Sequence, residues 1–116
     1  MSRRNATAAM AVLLASLAPA GAPRAFVSNK TFLSDCSAPA DAVQRAECRG
    51  YILGVADAIN SNVVKGRRIC FPGGAEQDEI REQVMRWVRA NAHVVQRMNG
   101  FGAIYAALIK SYPCAK

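Results

Sequence analysis

Four cysteines are the residues of this 116-residue sequence best suited to metal, redox or covalent chemistry. They are Cys36, Cys48, Cys70 and Cys114, and at least 11 residues separate each one from the next. Metal sites and c-type haem attachment need close cysteine pairs such as C-x-x-C, and the sequence contains none. An even number of cysteines in a short exported chain is typical of a disulfide framework. We therefore expect two disulfides, with no metal and no other cofactor.

The only histidine, His93, is the other candidate for chemistry. A cysteine nucleophile would need a free thiol beside this imidazole, and two disulfides leave no thiol for that role. The sequence also lacks a P-loop, a G-x-S-x-G motif and an H-E-x-x-H motif. We therefore predict that the protein is not an enzyme. His93 is expected to be a cap or surface residue, with contact to a partner protein as its functional alternative.

The first 20 residues have the pattern of a cleaved export signal. Arg3 and Arg4 form a basic start, residues 6–17 are an uncharged run rich in alanine and leucine, and residues 18–20 read Ala-Pro-Ala. An apolar run of about a dozen residues is shorter than the roughly 20 that span a bilayer, which disfavours a membrane anchor. Cleavage near Ala20 to Ala25 is expected, and it predicts an exported protein.

Composition and charge indicate one basic globular domain. The sequence is 52% hydrophobic and 20% charged, with a formal net charge of +7. Removal of residues 1–20 takes away two arginines and no acid, which leaves a mature charge of about +5. Such a charge favours an acidic partner or an anionic envelope surface. Nucleic acid is a poor candidate, because the compartment excludes it and no base-stacking motif is present.

The mature chain divides into an entry segment, residues 21–40, and a helical domain, residues 41–116. Turn-forming residues interrupt the entry segment, so we expect it to be extended or loosely coiled. In the domain, apolar residues recur at three- and four-residue spacing in three stretches. The predicted fold is all-α: a small disulfide-stapled bundle of three main helices with an extended N-terminal segment.

The first two helices have clear boundaries in the sequence. The first is predicted over residues 42–62, where Asp41 and Gln44 can form a capping box. The second is predicted over residues 76–90, because its first turns carry acids and its last turns carry arginines, as the helix dipole favours. The connection between them contains turn formers on both sides of a short apolar stretch.

The third helix is interrupted in its first half. An apolar stripe runs over residues 94–112 and ends before Pro113, but Gly100 and Gly102 lie within it. Either the helix bends at these glycines, or it starts near Phe101 after a short preceding turn.

The direction of the helices predicts how the cysteines pair. Short connections favour antiparallel neighbours, so the three helices are expected to run up, down and up. Cys70 and Cys114 then lie at one end of the bundle, and Cys36 and Cys48 lie at the other. Of the three pairings that four cysteines allow, we predict Cys36–Cys48 and Cys70–Cys114.

Gly50, Gly54 and Asp57 occupy one face of the first helix, at positions i, i+4 and i+7. A glycine in a helix interior costs roughly 1 kcal/mol relative to alanine, so both need a reason. We expect the glycines to admit another element of the chain, with Asp57 as a buried, hydrogen-bonded anchor. Tyr51 suits a packed ring with its hydroxyl at a boundary. The alternative is a helix–helix contact with another molecule.

Lys65, Arg67 and Arg68 form a basic loop just before Cys70. One interpretation is an ordinary solvated loop. The functional interpretation is a projection that meets an acidic cleft of a partner protein. A disulfide at Cys70 would hold such a projection in place and lower the entropic cost of ordering it on binding.

Four motifs occur in order over residues 36–114: "CRGYILGVADA", "ICFPGG", "VMRWVRAN" and "AALIKSYPC". The ordered set resembles the Rap1a/Tai family of immunity proteins. This resemblance implies a small all-α periplasmic protein, often a homodimer, that binds and neutralises a peptidoglycan amidase effector of type VI secretion. The matched positions look like the framework of the fold rather than effector contacts, and they are Cys48, Gly50, Tyr51, Gly54, Asp57, Cys70, Pro72, Pro113 and Cys114.

The sequence departs from the family pattern around the turn between the second and third helices. Ala92 stands where the family often has proline, and Gly100 and Gly102 interrupt a region that is usually more helical. This turn, which includes His93, is therefore a candidate specificity surface.

Two functions remain open at this level. The leading hypothesis is a periplasmic inhibitor that covers a cell-wall amidase by surface complementarity and turns nothing over. A neighbouring gene for an exported cysteine amidase would support it. The alternative is a small disulfide-bonded envelope binding protein or chaperone without a dedicated effector. One histidine and few acids give such a chaperone little means of responding to acid.

Overall fold

The computed structural model describes residues 27–37 and 41–115. The predicted signal at residues 1–20 and its cleavage region up to Ala25 lie outside this part of the chain. The described residues form five helices: α1 (Asn29–Cys36), α2 (Ala42–Asn60), α3 (Gln77–Ala90), α4 (Ala92–Val95) and α5 (Gly100–Ser111). They contain no β-strand, only an isolated bridge between Ile69 and Pro113. The all-α prediction is therefore confirmed.

Helices α2 and α3 each begin at a capping box. The Asp41 carboxylate accepts a hydrogen bond from the Gln44 backbone N–H at 2.8 Å, and the Gln44 side chain accepts one from the Asp41 N–H at 3.1 Å. At the start of α3, the Glu79 carboxylate accepts a hydrogen bond from the Glu76 N–H at 3.3 Å. Reciprocal bonds of this kind satisfy the free N–H groups of a first helical turn.

The prediction of an extended segment before residue 41 is wrong for residues 29–36, which form α1. Ser28 caps this helix, because its hydroxyl accepts a hydrogen bond from the Thr31 N–H at 3.0 Å. Phe32 and Cys36 lie one turn apart and are both buried. Two buried positions make a periodic pattern too short to recognise among the polar residues around them.

The interruption in the third predicted helix is a break between two helices. The four-residue α4 ends at Val95, and α5 begins at Gly100, so the second of the two alternatives is correct. Asn99 caps α5 by accepting a hydrogen bond from the Gly102 N–H at 2.8 Å. The discordant residues are thus the start signal of α5 rather than a bend inside a longer helix.

The core surrounds α5, which packs against α1, α2 and α3. Alanines at two core positions of α5 let the neighbouring helices approach closely. Four residues of α5, one of α2 and one of α3 have no exposed surface, and they are Ala103, Ile104, Ala107, Leu108, Ile59 and Val84.

Both predicted disulfides are present. Cys36 and Cys48 join α1 to α2, with 5.2 Å between their Cα atoms. Cys70 and Cys114 join the α2–α3 connection to the segment after α5, at 4.8 Å. Chain-entropy arguments give about 3 kcal/mol for the shorter loop and about 4 kcal/mol for the longer one. In the part of the chain that is described, no helix is both long and apolar enough to cross a membrane.

Candidate functional site

The face of α2 that carries Gly50, Gly54 and Asp57 is exposed. A Cβ atom added to either glycine would have no atom within 4 Å of it. The packing interpretation of the two glycines and the buried-anchor interpretation of Asp57 are therefore wrong. The physical reason is that α2 turns its opposite side, with Ile52 and Ile59, into the core. Contact of this face with another molecule stays a prediction.

The α2 face is a shallow open groove of about 300 Å³ rather than a flat surface. Tyr51 and Phe101 form its aromatic wall, beside the two glycines and Ala58. Phe101 keeps 39% of its surface exposed, and its ring stacks on Tyr105 with 6.0 Å between centroids. The groove thus presents helix backbone and ring surface to solvent.

The glycine that does serve packing is Gly100, at the start of α5. A Cβ atom there would lie 3.1 Å from the Val27 carbonyl oxygen and 3.3 Å from the Tyr51 ring. The Gly100 N–H donates a 3.0 Å hydrogen bond to the same Val27 oxygen. Tyr51 also contacts Phe32, with 6.3 Å between ring centroids, and burial raises the pKa of its hydroxyl. The partly buried Tyr51 ring thus packs beside Phe32 and the start of α5.

The basic loop of Lys65, Arg67 and Arg68 is exposed and is held at its C-terminal end. The Asn60 side chain accepts a 3.0 Å hydrogen bond from the Ile69 N–H, next to Arg68. The following Cys70 N–H donates a 3.0 Å bond to the Tyr112 carbonyl, beside the disulfide to Cys114. Gly66 has a φ of 78°, a left-handed conformation that favours glycine.

Pro72 and Pro113 occupy structural positions next to this loop. Pro113 lies opposite Ile69 in the isolated bridge. The Pro72 carbonyl accepts a 3.1 Å hydrogen bond from the Ala75 N–H, which closes a turn whose Gly74 has a φ of 79°. Glycine is favoured at this position of the turn because an L side chain rarely adopts a positive φ.

Tyr112, at the C-terminal cap of α5, contacts the segment that follows the basic loop. Its ring meets Phe71 edge-on, with 4.8 Å between centroids. Burial raises the pKa of Tyr112, and Glu79 raises it further, while Arg86 acts in the opposite direction. The loop is thus attached to the bundle by a disulfide, backbone hydrogen bonds and an aromatic contact.

His93 lies on α4, near the N-terminal end of α5, whereas the basic loop is tied to the C-terminal end of α5. A 12-residue helix is about 18 Å long, so the structure does not bring His93 and the loop into one site. His93 is exposed, as expected for a surface residue.

Sequence reasoning missed a groove of about 350 Å³ between α1, α3 and α4. Leu33, Val88, Ala92 and Val95 supply its apolar lining. It escaped notice because α1, which forms one wall, was predicted to be extended. The Leu33 position gave no periodic signal that could have revealed it.

The chemistry of these surfaces suits binding. All four cysteines are in disulfides, so no thiol is free to act as a nucleophile. Within the described ranges, no group of three or more His, Cys, Asp or Glu side chains is placed to hold a metal ion. What the fold displays instead is a tethered basic loop, an open helix face and an apolar groove.

Comparison with known proteins identifies the family. The model of the Rap1a immunity proteins matches residues 28–114, a span that includes all five helices and both disulfides. Searches of curated proteins and of solved structures returned no match. Because the family model covers most of the sequence, the chain belongs to the Rap1a immunity protein family.

Proposed function

We propose that this protein is an exported immunity protein that binds and inhibits a peptidoglycan amidase effector of type VI secretion. The observation that supports the proposal is the match to the Rap1a immunity proteins over residues 28–114. The amidase as partner follows from the resemblance of the sequence motifs to this family. The signal-like start of the sequence and the two disulfides support action in the periplasm, where an amidase would reach its cell-wall substrate. Inhibition needs occupation of the amidase cleft and no turnover.

The structure supports inhibition by a preformed surface. The basic loop, with Lys65, Arg67 and Arg68, is attached to the bundle before any partner arrives. A segment ordered in advance loses less entropy on binding, which leaves more of the contact energy for affinity. Cations on its surface would speed encounter with an acidic cleft and select against basic partners.

Homodimerisation is part of the same proposal, because the family resemblance implies it. It is tested by light scattering on the oxidised chain at micromolar concentration. A mass of two chains supports a dimer, and the mass of one chain at all concentrations up to about 100 µM contradicts it.

The proposal is tested with the oxidised mature protein as bait against periplasmic and secreted proteins. We expect one amidase at near-equal stoichiometry, and we expect the purified pair to lose its peptidoglycan hydrolase activity. Co-expression in the periplasm should also protect cells from that amidase. A mature chain in which the disulfides have been reduced is the matched control, because it keeps the sequence while releasing the loop.

The chaperone alternative predicts a different result in the same experiment. It requires capture of many unfolded clients without one dominant partner. In the described ranges the large exposed apolar side chains lie on α2, the α2–α3 connection, α4 and α5, and they are Val43, Val63, Val94 and Phe101. A client-binding surface normally needs a larger continuous patch than this scatter provides. Recovery of many clients, or of no protein, would contradict the immunity proposal.

A further inference from the structure

The groove between α1, α3 and α4 combines an apolar floor with polar groups that have no internal partner. Arg89 and Asn29 both line it, on opposite walls. The Asn29 side-chain N–H donates a 3.0 Å hydrogen bond to the Val95 carbonyl, which fixes the orientation of the amide. The amide oxygen is then buried without a hydrogen-bond partner among the described residues. Buried acceptors are normally satisfied, so this oxygen marks the wall as one whose polar groups the described residues do not fully pair.

Charge along the chain is strongly segregated, and the groove lies in the cationic part. All eight acids fall between Asp35 and Glu82, and residues 83–116 contain none. Arg89 makes no hydrogen bond or ion pair through its side chain with any described residue. Its neighbours His93 and Arg97 each follow directly after a groove residue and are exposed.

The acids of the neighbouring helices do not compensate this charge. Asp35, although on α1, lines a different depression together with Glu47 and Tyr51. Glu82 lies two turns before Arg89 on α3 and lines a polar depression together with it, but the Glu82 carboxylate pairs with Arg81 at 3.4 Å and not with Arg89. The rim of the α1–α3–α4 groove is thus cationic with no described acid among its lining residues.

We propose that this groove anchors the amidase effector through an apolar side chain flanked by carboxylates. The inference rests on the proposed function and names the surface and the chemistry of the partner. The apolar side chain occupies the space bounded by Leu33, Val88 and Val95, and a neighbouring carboxylate pairs with Arg89. A groove of about 350 Å³ has room for one anchoring side chain and not for a whole protein–protein interface. Stable interfaces bury about 800 Å² on each partner, so surrounding contacts complete it.

The test measures binding of the oxidised mature chain to the peptidoglycan amidases encoded by the same genome, each purified with its nucleophilic cysteine replaced by alanine. Two variants target the groove. Ala92→Trp fills it from the α4 side, and Arg89→Glu reverses the rim charge. Two matched controls introduce the same residues at exposed positions elsewhere: Ala46→Trp on α2 and, as another reversal from a cation to glutamate, Lys110→Glu on α5. Circular dichroism melting checks that every variant folds.

We expect each groove variant to weaken binding of the wild-type partner amidase by about tenfold or more, and each control to change it by less than about threefold. Arg89→Glu should also flatten the dependence of affinity on salt, because one charge pair is lost. If Ala92→Trp does not fold, Arg89→Glu decides the outcome alone.

The results separate the two proposals. If the wild-type chain binds no amidase, the proposed function fails and the groove assignment falls with it. If the wild-type chain binds an amidase and both groove variants bind it as tightly as the controls, only the groove assignment is overturned. Loss of binding to phosphatidylglycerol vesicles in Arg89→Glu, with amidase binding unchanged, would assign the cations to a membrane and would also overturn it.

Discussion

Gly54 on α2 and Gly100 on α5 are both helical glycines, and the structure uses them in opposite ways. Around Gly54 a Cβ atom would find open space, whereas at Gly100 it would meet the Val27 backbone at 3.1 Å. At Gly100 the missing side chain allows Val27, just before α1, to approach the start of α5 and to accept a backbone hydrogen bond from it. At Gly54 the missing side chain serves no contact within the described residues.

The difference shows that the spacing of three residues places them on one face, and that only their position relative to the apolar stripe of the same helix tells which way that face points. At 100° per residue, the centre of Gly50, Gly54 and Asp57 lies about 180° from the centre of the apolar residues of α2. The opposition is readable in the sequence, and it predicts an outward-facing stripe. The packing role of Gly100 was harder to predict from the sequence than the exposure of Gly54. Its partner Val27 lies in a segment that shows no recognisable helical pattern.

The largest expected effect on the Gly100 contact comes from releasing α1, because Val27, which meets Gly100, lies just before this helix. Cys36→Ala with Cys48→Ala should lower the free energy of unfolding by about 3 kcal/mol, since a loop of this length restricts the unfolded chain by that amount. Urea denaturation measures it. The cost of Gly100→Ala should then shrink in this background, because α1 can move away. An unchanged Gly100→Ala cost would contradict the role of α1 in that contact.

The matched control for this prediction is removal of the other disulfide. Cys70→Ala with Cys114→Ala should cost about 4 kcal/mol, because the loop it closes is longer. This link is remote from Val27, so the cost of Gly100→Ala should stay as it is in the parent chain.

The next effect compares one substitution at the two glycines. Gly100→Leu should destabilise the protein by about 1–3 kcal/mol, because the new side chain meets a backbone oxygen and an aromatic ring. Gly54→Leu should leave stability equal or raise it, since leucine favours a helix more than glycine does. Thermal melting of both variants measures the difference. Equal destabilisation by the two would mean that the α2 face is packed after all.

A smaller effect of opposite sign is expected for alanine on the open face. Gly54→Ala should raise the free energy of unfolding by about 0.5–1 kcal/mol, because alanine reduces the conformational freedom of the unfolded chain and nothing obstructs its methyl group. Gly50→Ala should behave in the same way. Urea denaturation midpoints provide the measurement, and a loss of stability in either variant would contradict the open groove.

The smallest effect concerns the Tyr51 hydroxyl. Burial raises the pKa of Tyr51 in the folded state, so the neutral phenol is favoured there. Its contribution to stability is complete below the ordinary tyrosine pKa of about 10 and is lost as pH rises through the raised folded value. Tyr51→Phe keeps the ring beside Gly100 and should lose less stability than the parent above about pH 10. Parallel pH dependences of the two proteins would exclude this contribution.

Local signals in the sequence were sufficient for much of the fold. The Asp41–Gln44 capping box and the charge order of α3 located two helices, and the expected chain directions predicted both disulfides. Helix α1 was missed because it depends on tertiary contact: Phe32 is buried against other helices, and a disulfide holds Cys36. An eight-residue helix has little stability of its own.

The candidate site was less accessible to sequence reasoning for the same reason. The basic loop is visible as three cations before Cys70, and His93 is visible as a lone histidine. The groove beside Arg89 exists only after α1 has docked, so no stretch of sequence contains it. Surfaces that join distant segments depend on packing, which periodicity alone does not provide.

The disulfides also have a consequence for how the protein matures. The first cysteine in the chain pairs with the second, and the third pairs with the fourth, so the two closed loops do not overlap. An oxidase that joins cysteines in the order in which they leave a translocation channel makes the native bonds directly, with no wrong bond to reshuffle. Cys70 stays unpaired until Cys114, 44 residues later in the chain, has left the translocation channel. The basic loop therefore becomes fixed only at that stage.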